Sequence, residues 1–277
     1  MARFLISFVL LILFSIPTSL FAQTELIEAV ATHYAQIHPG LESYRVHLKT
    51  NKIAEMLNRM TSSMPQDMPR PDAPELMKFW NRKSGTVVRS TNTTAYPYMQ
   101  QMINRFSQRF AIDLGTLFLP IDGTAKRAKL LELATIKSTE SQIADSKIQQ
   151  FEILFKQPTD VAGAFYGISL DLPQRQIKKL TLDIDLEKMV LVHMGIEPAE
   201  GKSLAVEIRH LDVEGSTMPK EVSITTPDGS IDEHFVTTFK LIDGYQLPIR
   251  QERKIRRPGL EEMLLVDFSN YELVHGK

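Results

Sequence analysis

The second half of this chain alternates. Phe151, Ile153 and Phe155 interleave with Glu152, Leu154 and Lys156. Leu180, Leu182, Ile184 and Leu186 interleave with Thr181, Asp183, Asp185 and Glu187, and Leu204, Val206 and Ile208 with Ala205, Glu207 and Arg209. A period of two puts the apolar members of each run on one side of a strand and the polar ones on the other. One face is then buried and the other wet, the signature of an antiparallel sheet. Val222 and Ile224 lead to a turn at Pro227-Asp228-Gly229, and Phe235, Thr237 and Phe239 return from it. Gly244-Tyr245-Gln246-Leu247-Pro248 turns again, and Leu264, Val266 and Phe268 form a late strand. Strands that follow one another without helices between them favour meander connections.

Before about Lys147 the signal is mixed. Leu26, Ile27, Val30, Ala31, Tyr34 and Ile37 recur at helical spacing, with Thr24 as a cap and Pro39-Gly40 as the stop. Tyr44, Val46 and Leu48 then alternate with Arg45, His47 and Lys49. Residues 53–64 fit a helix through Ile53, Met56, Leu57, Met60 and Met64. Met56, Met60 and Met64 also share the parity of a strand, and periodicity leaves both open. Four prolines between Met64 and Pro74 exclude a helix interior or a central strand there. Phe79 to Arg89 reads as a hairpin turning at Lys83-Ser84-Gly85. From Pro97 a helix follows with Met99, Met102, Ile103, Phe106, Phe110 and Leu114 on its apolar face, and a shorter one spans Ala125 to Ala134.

The N-terminus adds a destination. Arg3 precedes an apolar run from Phe4 to Phe14, Pro17-Thr18-Ser19 interrupts it, and Ala22 stands before Gln23. This reads as a secretory signal peptide over residues 1–22, leaving 23–277 as a single domain without an internal linker or repeat. The alternative is an uncleaved anchor, since Phe4 to Ala22 approaches the about 20 residues that span a bilayer. The chain has no cysteine. It therefore carries no disulfide, no thiolate metal site, no thiol nucleophile and no lipidated cysteine. A formal net charge of -1 argues against nucleic acid as a partner.

No catalytic signature stands out: there is no Gly-x-Ser-x-Gly, His-Glu-x-x-His or P-loop. The expectation is a protein that is not an enzyme and uses no cofactor or metal. The seven histidines do not cluster; His33 and His38 are five apart, and His47, His193, His210 and His234 lie singly on strands. Asp183 and Asp185 share a strand face, as paired carboxylates do, and a solvated outer face explains them equally well. Arg250, Arg253, Lys254, Arg256 and Arg257 form a basic run suited to an acidic envelope partner or an anionic headgroup; the bland reading is a solvated strand end. Met56, Met60, Met64, Met68, Met77, Met99 and Met102 crowd one stretch. Methionine is flexible and polarizable, so it moulds to varied apolar ligands, although it also packs ordinary cores.

The order of elements resembles the outer-membrane lipoprotein-sorting proteins, the carrier LolA and its acceptor LolB. The resemblance rests on a first helix ending at His38-Pro39-Gly40 and the strand Leu41 to Leu48. It continues with Phe79-Trp80-Asn81-Arg82 in a hairpin, Asp243-Gly244-Tyr245-Gln246-Leu247-Pro248-Ile249, and the close at Val266-Asp267-Phe268-Ser269-Asn270-Tyr271. It implies an α+β, mainly antiparallel β fold: a strongly curved sheet, a half-barrel, with helices covering its concave face. The cavity between them would hold acyl chains of lipid or lipoprotein in the periplasm, without chemistry. Trp80 and Arg82 match the family's aromatic and basic residues after its second strand, although Lys83-Ser84-Gly85 stands where the family carries a proline. The chain is longer than the carrier and lacks the acceptor's lipidated cysteine, so it resembles the fold rather than either protein. A cavity of this kind would be lined by Met56, Met60, Trp80, Met99, Met102, Phe106 and Phe110. An envelope interaction module with a filled core is the alternative.

Overall fold

The computed structural model describes residues 18–36, 38–62, 65, 73–83, 85–92, 101, 117–143, 146–167, 170, 172, 175–213 and 216–276. In chain order the elements are α1 (Thr18–Ala35), β1 (Leu41–Thr50), α2 (Asn51–Thr61), β2 (Leu76–Asn81) and β3 (Gly85–Ser90). A 3-10 turn (Ile121–Gly123) leads into α3 (Thr124–Glu132) and β4 (Ala134–Ile143). Then come β5 (Ser146–Asp160), β6 (Gln176–Asp185), β7 (Val190–Pro198), β8 (Leu204–Val213) and β9 (Ser216–Thr225), followed by β10 (Asp232–Ile242), β11 (Tyr245–Arg257) and β12 (Leu260–His275).

All twelve strands join one open antiparallel sheet in the order β3-β2-β1-β12-β11-β10-β9-β8-β7-β6-β5-β4. From β4 to β12 it is a meander, which the alternation predicts from β5 onward. The non-local step is β1 beside β12, pairing Leu41 with His275 and Leu48 with Phe268. Gly276 N–H closes this seam on Gly40 O at 2.9 Å.

Local chemistry explains most element ends. The Thr50 side chain accepts from Lys52 N–H and caps α2, settling residues 53–61 as helix. Asn51 extends β12's pairing where β1 stops: its amide donates to Met263 O at 3.0 Å and accepts from Leu265 N–H at 2.9 Å. Asp243 and Gly244 both have positive φ, the geometry of a two-residue type I′ hairpin, which places Ile242 opposite Tyr245. The turn therefore ends at Gly244, and Tyr245 to Pro248, expected to turn, already belongs to β11.

Other expectations shift too. Helix α1 is already under way at Thr18, six residues before the proposed Thr24 cap. Ala134 opens β4 rather than ending α3. No alternation marks β4, because its side chains are exposed from Lys137 to Ile143. The helix from Pro97 lies outside the described residues except Gln101, as does most of the proline-methionine loop.

Two apolar clusters form. One joins α1 (Ile27, Val30, Ala31, Tyr34) and the segments around Phe118 and Phe165 to strands β5 to β10. The other joins β1, β2, β3 and β12 with Ile53 and Leu57 of α2 and with Leu247.

Candidate functional site on the apolar face of the sheet

Residues opposite one another across an antiparallel pair lie on the same face, so the register traces a single surface. Phe151 faces Leu182, which faces Met194, which faces Val206, which faces Ile224. The next residue in this row is Glu233, and after it Ile255. The adjoining row runs Ile208, Val222, Phe235, Arg253, Leu264. A third sets Thr237 opposite Gln251 and Gln251 opposite Val266. Beyond β12, Val46 faces Lys78. Glu233, Arg253, Thr237 and Gln251 thus cross the apolar face where its two clusters meet, and Lys78 lies within the second cluster.

These groups are buried. Glu233 is 0% exposed, Lys78 1% and Thr237 2%. Glu233 accepts from two guanidiniums on β11. Arg253 Nη2 reaches Oε2 at 2.8 Å, and Arg257 bonds Oε1. The Arg253 guanidinium lies 4.4 Å above the Phe235 ring, and Gln251 donates to Thr237 Oγ1 at 3.4 Å. The Lys78 ammonium sits 5.6 Å from the Tyr44 ring centre and 5.8 Å from that of Phe268. Burying each ion costs several kcal/mol before its partners offset it, so this seam is a costly insertion into an otherwise apolar surface.

The basic run is accordingly divided by strand alternation. Arg253 and Arg257 turn to the apolar face and share Glu233. Arg250 and Arg256 occupy the other parity and pair with Asp267 and Asp232, while Lys254 is exposed. A bare basic patch does not form: each of the four arginines has a carboxylate on a neighbouring strand.

Trp80 is 9% exposed, stacks on its cross-strand partner Tyr44 with ring centres 5.2 Å apart, and belongs to the second cluster. Arg82 is exposed in the β2–β3 turn, and its side chain holds backbone: Nε donates to Leu41 O at 3.0 Å, and Nη2 donates to His38 O. It straps the hairpin to the connection between α1 and β1. Met56 and Met60 lie on α2, but their side chains are outside the described residues, as are Met99, Met102, Phe106 and Phe110 altogether. The structure therefore brings Trp80 into the apolar cluster, ties Arg82 to backbone, and leaves the methionine lining undescribed.

Glu233, Thr237, Gln251 and Lys78 were not singled out from sequence as site residues, though each carried a signal. Glu233 has the parity of Phe235, and Lys78 that of Leu76 and Trp80, so each is a charge at an apolar position.

The first cluster is fastened from above. Arg127, 0% exposed, donates to both oxygens of Glu28 at 2.7 Å, to Pro120 O at 3.2 Å and to Ala164 O at 2.5 Å. One side chain thereby ties α1, α3 and the segment after β5. Beside α3, a Cβ on Gly123 would lie 2.1 Å from Gly163 O, so only glycine fits. At the far end of α1, the Tyr34 hydroxyl accepts from Leu191 N–H at 2.9 Å and lies 3.0 Å from His210 Nε2. Burial there pushes the His210 imidazole down from 6.5 to about 4.

On the opposite face, Asp183 binds His193 Nδ1 at 3.1 Å and Gln150 at 2.9 Å. The Asp183 hydrogen bond raises the His193 pKa. Asp185 instead accepts from Glu187 and Lys188 N–H in the following turn, so the two aspartates do not act as a pair.

No family model and no curated protein matches the chain. Solved structures similar to it include a LolA superfamily protein from Nitrosomonas europaea (11% identity, 91% of this chain, 94% of that one, TM-score 0.32). A putative outer membrane lipoprotein-sorting protein domain from Vibrio parahaemolyticus is similar as well (9% identity, 89% and 91%, TM-score 0.33). A DUF1329 family protein from Desulfovibrio piger is also similar (9% identity, 90% and 92%, TM-score 0.26). The superpositions are too loose to transfer residue roles.

Proposed function

We propose that this protein is an exported, non-catalytic carrier or receptor. It takes acyl chains of lipid or lipoprotein onto the apolar face of its sheet and serves outer-membrane lipoprotein or lipid trafficking. The observation that supports the reading is the continuity of that face from β5 across to β2, interrupted only by the buried seam. Apolar burial contributes about 0.8 kcal/mol per methylene, so a long chain binds such a surface with no reacting group. Trp80 together with Met56, Met60, Met99, Met102, Phe106 and Phe110 would line the ligand's half, methionines adapting to chains of different length. Arg82 would act there as a strap for the hairpin. The leader Phe4 to Ala22 fits delivery to the periplasm, and no helix among the described residues is long and apolar enough to cross a membrane.

Native mass spectrometry of protein released from membranes tests this. Copurifying lipid is expected, with saturable uptake of a fluorescent fatty acid that quenches Trp80, the sole tryptophan. A lipid-free chain without uptake would overturn it. The rival reading, an envelope module with a filled core, draws on the first cluster, where Leu180, Leu182 and Phe165 are all 0% exposed.

A further inference from the structure

We infer that the acyl ligand carries an anionic oxygen head, carboxylate or phosphate, and that Arg253 receives it at the seam between the two apolar clusters. This rests on the carrier reading and adds the polar half of the ligand.

The position comes first. Arg253 has Phe235 of the first cluster as its neighbour on β10 and Leu264 of the second as its neighbour on β12. A chain leaving this point toward β12 runs onto Leu264 and the second cluster.

The donors come next. Two guanidiniums converge on the single carboxylate of Glu233 and occupy both its oxygens. Arg253 Nε is buried and makes no hydrogen bond among the described residues. A buried N–H without an acceptor is costly, and guanidinium offers five donors in a rigid fork. The Phe235 ring beneath fixes the plane of that fork. An anionic oxygen placed beside Nε satisfies that donor with a charge-assisted hydrogen bond. Neutral amphiphiles offer the same chain without that gain.

The test uses the full chain and three ligands with one tail: hexadecanoate, hexadecyl phosphate and hexadecanol. Each competes with a fluorescent fatty acid. The wild type should bind the better anion at least about tenfold tighter than the alcohol, the scale of one charge-assisted hydrogen bond. Whichever acid wins identifies the head. Arg253→Gln should erase the difference between the anions and hexadecanol, and Arg253→Lys should keep part of it. Equal affinities in the wild type, which need no variant to fold, overturn the inference. So does a preference that survives Arg253→Gln, or displacement of the probe by acetate or inorganic phosphate alone. If hexadecanol binds and the anions gain nothing, only the head assignment fails. If none of the three binds, the carrier reading fails as well.

Discussion

The two halves of the apolar face are closed differently. Over β5 to β10, Ile27 and Val30 of α1, with Phe118, Leu119 and Phe165, pack on Leu180, Leu182 and Ile184, and every one of these is 0% exposed. Over β1, β2 and β12 the core is mixed: Leu41 and Val46 are 0% exposed, but Leu48 and Ile53 are 8% exposed, and Leu57, Trp80 and Leu264 9%. The first half is a finished core, fastened by Arg127 through the backbone of two separate segments. The second is closed less evenly and borders the buried charges. One alternating pattern thus builds two halves of the same face that differ in how they are closed.

The sharpest way to break this contrast is to remove its fastener. Arg127→Ala leaves Glu28 with only the Thr124 hydroxyl and takes the donor from the Ala164 carbonyl, and should cost about 3 kcal/mol. Urea unfolding followed by circular dichroism measures it. A loss below about 1 kcal/mol would mean that the ion pair is not what holds α1 down.

Cavity formation should rank the halves. Leu182→Ala in the closed half should cost about 3–5 kcal/mol, whereas Leu264→Ala should fall nearer about 2, because its site collapses or admits water more readily. Equal losses in the same denaturation assay would erase the distinction.

Two histidines on opposite faces give opposite responses to pH. His210 is held neutral by burial, at about 4 instead of 6.5. Between those values the unfolded chain takes up a proton that the folded chain refuses. Stability is therefore full above pH 6.5 and falls as pH drops toward 4, by on the order of 3 kcal/mol. His193 is raised by its hydrogen bond to Asp183, so its contribution is present below pH 6.5 and disappears as pH rises through its folded pKa. Melting temperatures across this range should show a shallower acid slope in His210→Asn and a flatter neutral slope in His193→Gln. An unchanged acid slope in His210→Asn would exclude the helix–sheet contact as the sensor.

The smallest effect belongs to the wet face. Arg45 and Glu272 pair across β1 and β12 with half of each side chain exposed. Arg45→Ala should cost no more than about 1 kcal/mol in thermal unfolding, and less in high salt. A larger cost would give the β1–β12 seam an electrostatic contribution beyond its backbone pairing.

Legibility followed how local each determinant is. Phe151, Leu182, Val206 and Val222 were placed correctly because alternation is written into consecutive residues. The I′ turn was misplaced by its neighbours: Pro248 drew attention from Asp243-Gly244, where the positive φ angles lie. Strand β4 left no signal, since both its faces are wet along most of its length. Within the site, Trp80 was legible as an aromatic in a hairpin. Arg82 was legible only as a match to a family position, since the carbonyls of His38 and Leu41 that it reaches lie some forty residues away in the chain. Glu233 carried no reading of its own and Arg253 only that of a basic run, because their partners lie on other strands.

What the sequence determined by itself is the class of structure: a one-sided antiparallel meander with a helix before it, set by side-chain parity and turn chemistry within a few residues. The pairing of β1 with β12, the division of the basic run and the burial of Glu233, Lys78 and Arg127 were decided only by tertiary structure. Each depends on contacts between residues far apart in the chain, for which no local period exists. In the case of the buried charges, what matters is the desolvation that a complete sheet imposes.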